Sequence, residues 1–141
     1  MDYAMIGPAI VLGLGCLGSA IGCGIAGMAS HGAMSRVDEG HGKFIGISAM
    51  PSSQSIYGFI LMILMKNALQ DGSLSALSGI GIGFFIGLAI MTSAVYQGRC
   101  AATAIQACAK QPSIFGKTFA ALGIVESFAL FAFVFGLLLL G

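Results

Sequence analysis

A single acidic residue, Glu126, stands inside a run of apolar ones, GIVESFALFAF over residues 123–133. An ionised carboxylate at the centre of a membrane helix costs roughly 2.5–3.5 kcal/mol on insertion scales, so it is kept for what it binds or carries. The bland alternative is an acid that stays protonated and bonds one neighbour. A second set of polar groups bears on the choice. Met50, Ser53, Gln54 and Tyr57 are spaced i, i+3, i+4, i+7 and share one helical face, with Pro51 in the same turn. Proline lacks an amide donor and frees a carbonyl in the preceding turn. That face offers a hydroxyl, an amide oxygen, a phenol and loosened carbonyls, and Gln97 adds another amide. One carboxylate with several neutral oxygens suits a small, hard monovalent cation, which cancels the acid's charge while the oxygens replace its water. A proton needs only the acid and one hydrogen bond. The surplus of oxygens favours Na+, with H+ as the alternative. Arg99 is not expected to pair with Glu126. It reads as lying near the end of its helix, whereas Glu126 is about 13 residues into the next one, roughly 20 Å from that end at 1.5 Å per residue.

These groups need a membrane around them. The 141 residues are 57% hydrophobic and 8% charged, with a mean hydropathy of +0.99; a soluble domain is about 25% charged. No basic aromatic surface suggests nucleic acid. Four apolar stretches, approximately residues 4–33, 44–65, 77–107 and 113–140, are each long enough for the roughly 20 residues of a membrane span. The first has no basic leader and too long an apolar run for a cleaved signal peptide. Arg36 and Lys43 lie in the first connection, Arg99, Lys110 and Lys117 near the third, and Lys66 near the second. The positive-inside bias therefore places connections one and three in the cytoplasm and both termini opposite. Asp2 and Tyr3 are expected at that far interface.

The chain also repeats itself. GSAIGCG (residues 18–24) matches TSAVYQG (92–98) at a spacing of 74, and SSQSIYGF (52–59) matches IVESFALF (124–131) at a spacing of 72. The expected organisation is two tandem helical hairpins, residues 1–70 and 71–141. With two spans each, both insert the same way round as parallel repeats. Gln54 falls opposite Glu126, so one repeat carries the carboxylate and the other an amide. Cys23 is the twin of Gln97.

The odd-numbered spans are rich in glycine: Gly13, Gly15, Gly18, Gly22, Gly24 and Gly27 in the first, and Gly79, Gly81, Gly83, Gly87 and Gly98 in the third. Small residues let membrane helices approach closely. A compact four-helix bundle accounts for them. So does a ring of copies, with the glycine-rich helices on an inner circle and the Phe- and Leu-rich even helices outside. Cys16, Cys23, Cys100 and Cys108 have no paired metal spacing and read as small packing residues. His31 and His41 are expected in water beside the first connection. GLGCLGSAIG lacks the Gly-Lys-Ser/Thr of a P-loop and lies in an apolar helix, so no direct ATP binding is expected.

The duplicated hairpin, MPSSQSIYGF, YQGR and VESFALFAFV together resemble the proteolipid K (c) subunits of V-type and A-type rotary ATPases, the sodium-translocating members most closely. The likeness runs from Gly13 to Leu140. It implies an all-α membrane protein of four spans assembling into a homo-oligomeric ring, a non-catalytic rotor in a bacterial or archaeal plasma membrane. It also implies that Glu126 carries the ion, that Ser53, Gln54, Gln97 and the Met50 carbonyl complete its shell, and that Tyr57 bonds the glutamate and keeps the loaded site closed. The implied partners are a stator membrane subunit that presents an arginine, central-stalk subunits that meet the cytoplasmic connections, and the lipid bilayer. Ser53, Met50 and Arg99 stand where the family often has threonine, leucine and lysine; each change preserves the group that the site would use. The remaining alternative is a small four-helix exporter.

Overall fold

The computed structural model describes residues 3–140, and no strand occurs among them. Five α-helices form four rods: α1 (Ile6–Met34), a rod made of α2 (His41–Ala49) and α3 (Ser53–Gln70), then α4 (Ala76–Lys110) and α5 (Phe115–Leu138). All four rods are long and apolar enough to cross a membrane, so the expected spans are present. The second span extends beyond 44–65 at both ends and is not one helix. The proline at 51 cannot donate to the helical ladder, and Met50–Ser52 tightens into a 3-10 turn before α3 starts at Ser53. First-turn amides need acceptors from elsewhere. The Ser55 N–H finds one in Ser19 Oγ of α1, at 3.0 Å.

The connections are short because their residues stop helices. Gly40 (φ 82°) and Gly72 (φ 83°) take left-handed backbone, before α2 and after α3 respectively, a conformation that costs an L side chain but not glycine. Ser75 caps α4, its Oγ accepting from the Ser78 N–H at 3.1 Å.

The contacts settle the directions of the rods. Gly7 lies against Gly79, Gly18 against Met91 and Gly22 against Ala94, so α1 and α4 run parallel. Gly22 also meets Pro51, Gly15 meets Gln54, and Gly58 meets Val11, so the second rod runs antiparallel to α1. Ser93 with Val125 and Gln97 with Leu122 make α5 antiparallel to α4. The molecule is thus two up-down hairpins with the same orientation, as the repeat requires.

The two glycine-rich helices form the tightest seam. A Cβ on Gly98 would collide with the backbone of Gly22, and one on Gly22 with the carbonyl of Ala94. By contrast, Gly13, Gly24 and Gly27 have nothing within 4 Å of a built Cβ, so only part of the small-residue stripe serves this packing. Around the seam lie two apolar clusters. Ala26, Phe44, Ile47, Ala101, Ile105 and Leu122 fill one end, and Val11, Leu61, Met65 and Leu74 the other. Between them is a buried polar layer of Ser19, Gln54, Ser93 and Gln97.

The outside is apolar too. Ile124, Phe128, Phe131, Phe135 and Leu138 form an exposed stripe along α5. Water does not tolerate such a face, whereas hydrocarbon or another copy does. Tyr3 is exposed at the start of the chain, while Asp2 lies outside the described residues. The packing role expected for all four cysteines holds for Cys108, which is buried; Cys16 is exposed on this chain, and Cys23 and Cys100 are half-buried. His31 is exposed, as is His41, whose Nε2 lies 2.7 Å from the Val37 carbonyl oxygen.

Candidate ion-binding site

The polar layer opens on one side at Glu126. Ser53, the first residue of α3, sits where the 3-10 turn delivers it, and its Oγ donates to Glu126 Oε1 at 2.5 Å. That length is typical of a charge-assisted O–H···O bond. The same Oγ lies 3.2 Å from Gln54 Oε1 and 3.4 Å from the Met50 carbonyl oxygen. Three acceptor oxygens therefore converge on one hydroxyl, which has one proton to give. Around this hydroxyl, acceptor oxygens outnumber the protons it can give.

The orientation of the two amides follows from a backbone group. A carbonyl only accepts, so the Gln97 atom 3.1 Å from Leu122 O is Nε2. This Nε2 also lies 3.3 Å from Glu126 Oε2. Gln97 Oε1 then accepts from Gln54 Nε2 at 2.9 Å, which leaves Gln54 Oε1 facing the Ser53 hydroxyl. Both glutamines are fully buried. Unpaired, either would cost about 1–3 kcal/mol, and among the described residues no buried side-chain polar atom lacks a partner.

Tyr57, one turn along α3 from Ser53, donates its hydroxyl to Glu126 Oε1 at 3.3 Å. Its ring stacks on Phe133 with centroids 5.6 Å apart. Phe133 lies two helical turns beyond Glu126 on the same face of α5, so the ring is braced against the helix that bears the carboxylate.

All six residues singled out from the sequence, Met50, Ser53, Gln54, Tyr57, Gln97 and Glu126, therefore meet in one place, drawn from three rods. Gln97 arrives as an N–H donor to the carboxylate; an oxygen from it requires the amide to turn over and give up Leu122 O. Among the described residues no group of three His, Cys, Asp or Glu side chains comes together. A cation here would be held by one carboxylate and neutral oxygens.

Height along the bundle does not separate Arg99 from Glu126, contrary to the expectation from helix ends. Gln97 touches Glu126, so Arg99, two residues on, is displaced by only about 3 Å along the axis of α4. The helix continues past it to Lys110, so Arg99 is not at a helix end. Direction keeps the two apart. Arg99 points outward, its guanidinium lying 5.1 Å from the Tyr96 ring centroid.

Two residues that place the site are missed by motif reading. Ser93 Oγ donates to the carbonyl of Val125 at 2.7 Å, holding α5 at the residue before Glu126. Ser19 does the corresponding work in the first hairpin through Ser55. The signal was available, since 19 and 93 are repeat twins at the spacing of 74.

Comparison with known proteins identifies the family. The profile of the ATP synthase C-subunit family matches twice, over residues 6–65 and 80–139. The chain is 33% identical over 135 residues to the A-type ATP synthase subunit K of Methanocaldococcus jannaschii, covering 96% of itself and 60% of that protein's length. It is 30% identical over 141 residues to the V-type sodium ATPase subunit K of Enterococcus hirae, covering 99% of itself and 90% of that protein. The two profile matches take in one hairpin each and between them include all six residues of the oxygen cluster, so the chain belongs to the ATP synthase C-subunit family.

Proposed function

We propose that this chain is the rotor subunit of a V/A-type ATPase, carrying Na+ across the membrane on Glu126. The observation that supports Na+ is the convergence of the Met50 carbonyl, Gln54 Oε1 and Glu126 Oε1 on the single Ser53 hydroxyl. A proton on the carboxylate satisfies one of these oxygens, whereas a cation among them satisfies all. The shell is Glu126, Ser53, Gln54 and Met50, with Gln97 joining when its amide turns Oε1 inward. Tyr57 closes the loaded site.

Copies assemble as a ring, each hairpin pair (1–70 and 71–141) contributing its glycine-rich helices to an inner circle and its bulky helices to an outer one. The sodium form is neutral and crosses lipid cheaply; the bare carboxylate bears the full insertion cost of a charge. Glu126 releases its ion beside the arginine of a stator subunit and reloads on the other side. Connections one and three face the cytoplasm and meet the central stalk. ATP hydrolysis belongs to other subunits, and this chain is not itself catalytic. With an amide at Gln54, each four-helix copy moves one ion, a low ratio that favours pumping over synthesis.

Carbodiimide attacks the protonated carboxyl, so labelling of Glu126 at neutral pH should slow as Na+ is added. If Na+ leaves the rate unchanged while rising pH slows it, the carried ion is H+. If Glu126→Gln leaves transport by the assembled complex intact, the rotor reading fails altogether.

A further inference from the structure

Arg99 is a second charge at the depth of the ion site, and no step of the ion cycle uses it. It belongs to the span Ala76–Lys110, stands about 3 Å along the axis from Gln97, and is exposed on this chain. An ionisable side chain inside a membrane span is costly and is kept for function. Among the described residues Arg99 has no hydrogen-bond or ion-pair partner, and its contact with the Tyr96 ring leaves the positive charge in place. Asp38, Glu39 and Asp71 lie in the connections between rods, so Glu126 is the one acid at this depth among the described residues. The next cation in height, Lys117, is about 14 Å away toward the start of α5. The repeat links the two charges. At the spacing of 74 the twin of Arg99 is Ile25, and at the spacing of 72 the twin of Glu126 is Gln54. The hairpin that keeps the acid is therefore also the one that carries the cation.

We infer that Arg99 sets the affinity of Glu126 for its ion: the fixed positive charge repels the bound cation across α4 and keeps it able to leave. Two residues turn a helix by about 200°, so Arg99 and Gln97 leave α4 on nearly opposite sides. A helix with its side chains is about 10–12 Å across, and Glu126 Oε2 lies 3.3 Å beyond Gln97 Nε2. The two charges are therefore about 15 Å apart. At that distance, with an effective dielectric constant of about 20, one unit charge weakens the binding of a monovalent cation by about sixfold. In the empty site the same charge steadies the bare carboxylate; in the loaded site the neutral pair gains nothing from it. The effect rests on Glu126 as the carrier, and it acts on Na+ and H+ alike because both bring one positive charge to the same place.

The test is a charge series at one position, Arg99→Lys, Arg99→Gln and Arg99→Glu, in the assembled protein. The readout is the Na+ concentration that half-protects Glu126 from carbodiimide at fixed pH. Arg99→Lys keeps the charge and should stay within about twofold of the parent, Arg99→Gln should bind about sixfold more tightly, and Arg99→Glu about 40-fold more tightly. A role in packing alone does not produce tighter binding that grows with each step of charge. Should Arg99→Glu fail to assemble, the comparison of Arg99→Lys with Arg99→Gln carries the same reading. An Arg99→Gln protein with unchanged half-protection, as when an anion from lipid or another copy already neutralises the guanidinium, overturns the inference. Weaker binding in Arg99→Gln, or in Arg99→Lys as much as in Arg99→Gln, overturns it too. If Na+ protects none of the proteins, the parent included, the sodium reading fails separately. The pH of half-maximal labelling then decides, and it should lie lower in the parent than in Arg99→Gln; equal values overturn the inference for the proton as well.

Discussion

Replacing Ser53 by alanine removes the hydroxyl on which the oxygen cluster converges. The empty carboxylate loses a 2.5 Å bond, and a bound cation loses one neutral oxygen; only the second weakens Na+ binding outright. If that oxygen is worth about 1.5–3 kcal/mol, the range for a hydrogen bond to a charged group, its loss raises the Na+ concentration giving half-protection of Glu126 by roughly 10- to 150-fold at 1.4 kcal/mol per factor of ten. Tyr57→Phe removes a 3.3 Å contact to the same oxygen, longer than the usual range for O–H···O. Its effect should stay at or below about tenfold, the upper end for an ordinary hydrogen bond. Ser53→Thr keeps the hydroxyl and should stay within a few-fold. The assay is the rate of carbodiimide labelling at fixed pH across a Na+ titration, for all four proteins side by side. A Ser53→Ala protein whose half-protection is unchanged, or an effect of Tyr57→Phe larger than that of Ser53→Ala, refutes the reasoning, because the distances then do not rank the interactions.

Gly98→Ala should destabilise the assembled protein by about 1–3 kcal/mol of overpacking, since its Cβ meets the Gly22 backbone. Gly24→Ala, with open space around its Cβ, should be neutral, and thermal dissociation in detergent compares the pair. Gln97→Leu leaves the Gln54 Nε2 without its acceptor and should cost about 1–3 kcal/mol, read in the same melt; a melt unchanged from the parent would mean that the buried amide pair contributes nothing. In the connection between α3 and α4, the Ser73 N–H donates to Asp71 Oδ1 at 3.0 Å and holds that carboxyl below the usual carboxylate range. Its contribution to the turn is present above the unfolded value of about 3.9 and is lost as pH falls through the lower folded value. An NMR titration of Asp71 with a midpoint at or above about 3.9 would contradict this.

The candidate site is legible in the sequence to an unusual degree because its residues obey two simple periodicities. Met50, Ser53, Gln54 and Tyr57 lie within two turns of one rod, so helical spacing alone puts them on one face. Gln54 and Glu126 are repeat twins, so the duplication brings their rods together. Arg99 stays apart from Glu126 as expected, but not for the expected reason: the expectation measures height from an assumed helix end, α4 runs on to Lys110, and no one-dimensional count says which way a side chain at a given height points. Cys16 is exposed on this chain, and apolar pattern does not tell a face toward the seam from one away from it.

Composition and spacing suffice for the membrane solvent, the four spans, the two parallel hairpins and the identity of the polar residues, because each depends only on local hydropathy and on period. Three things depend on coordinates. The Leu122 carbonyl fixes the orientation of Gln97, and through it that of Gln54, so that an oxygen and not an N–H faces Ser53. The break at Met50–Ser52 gives α3 a free first-turn amide, which Ser19 holds. Ser93 bonds to the carbonyl next to Glu126 and so sets the height of the carboxylate. Each is a contact between helices far apart in sequence, and hydrogen-bond direction is a property of the partner, which no pattern within one helix contains.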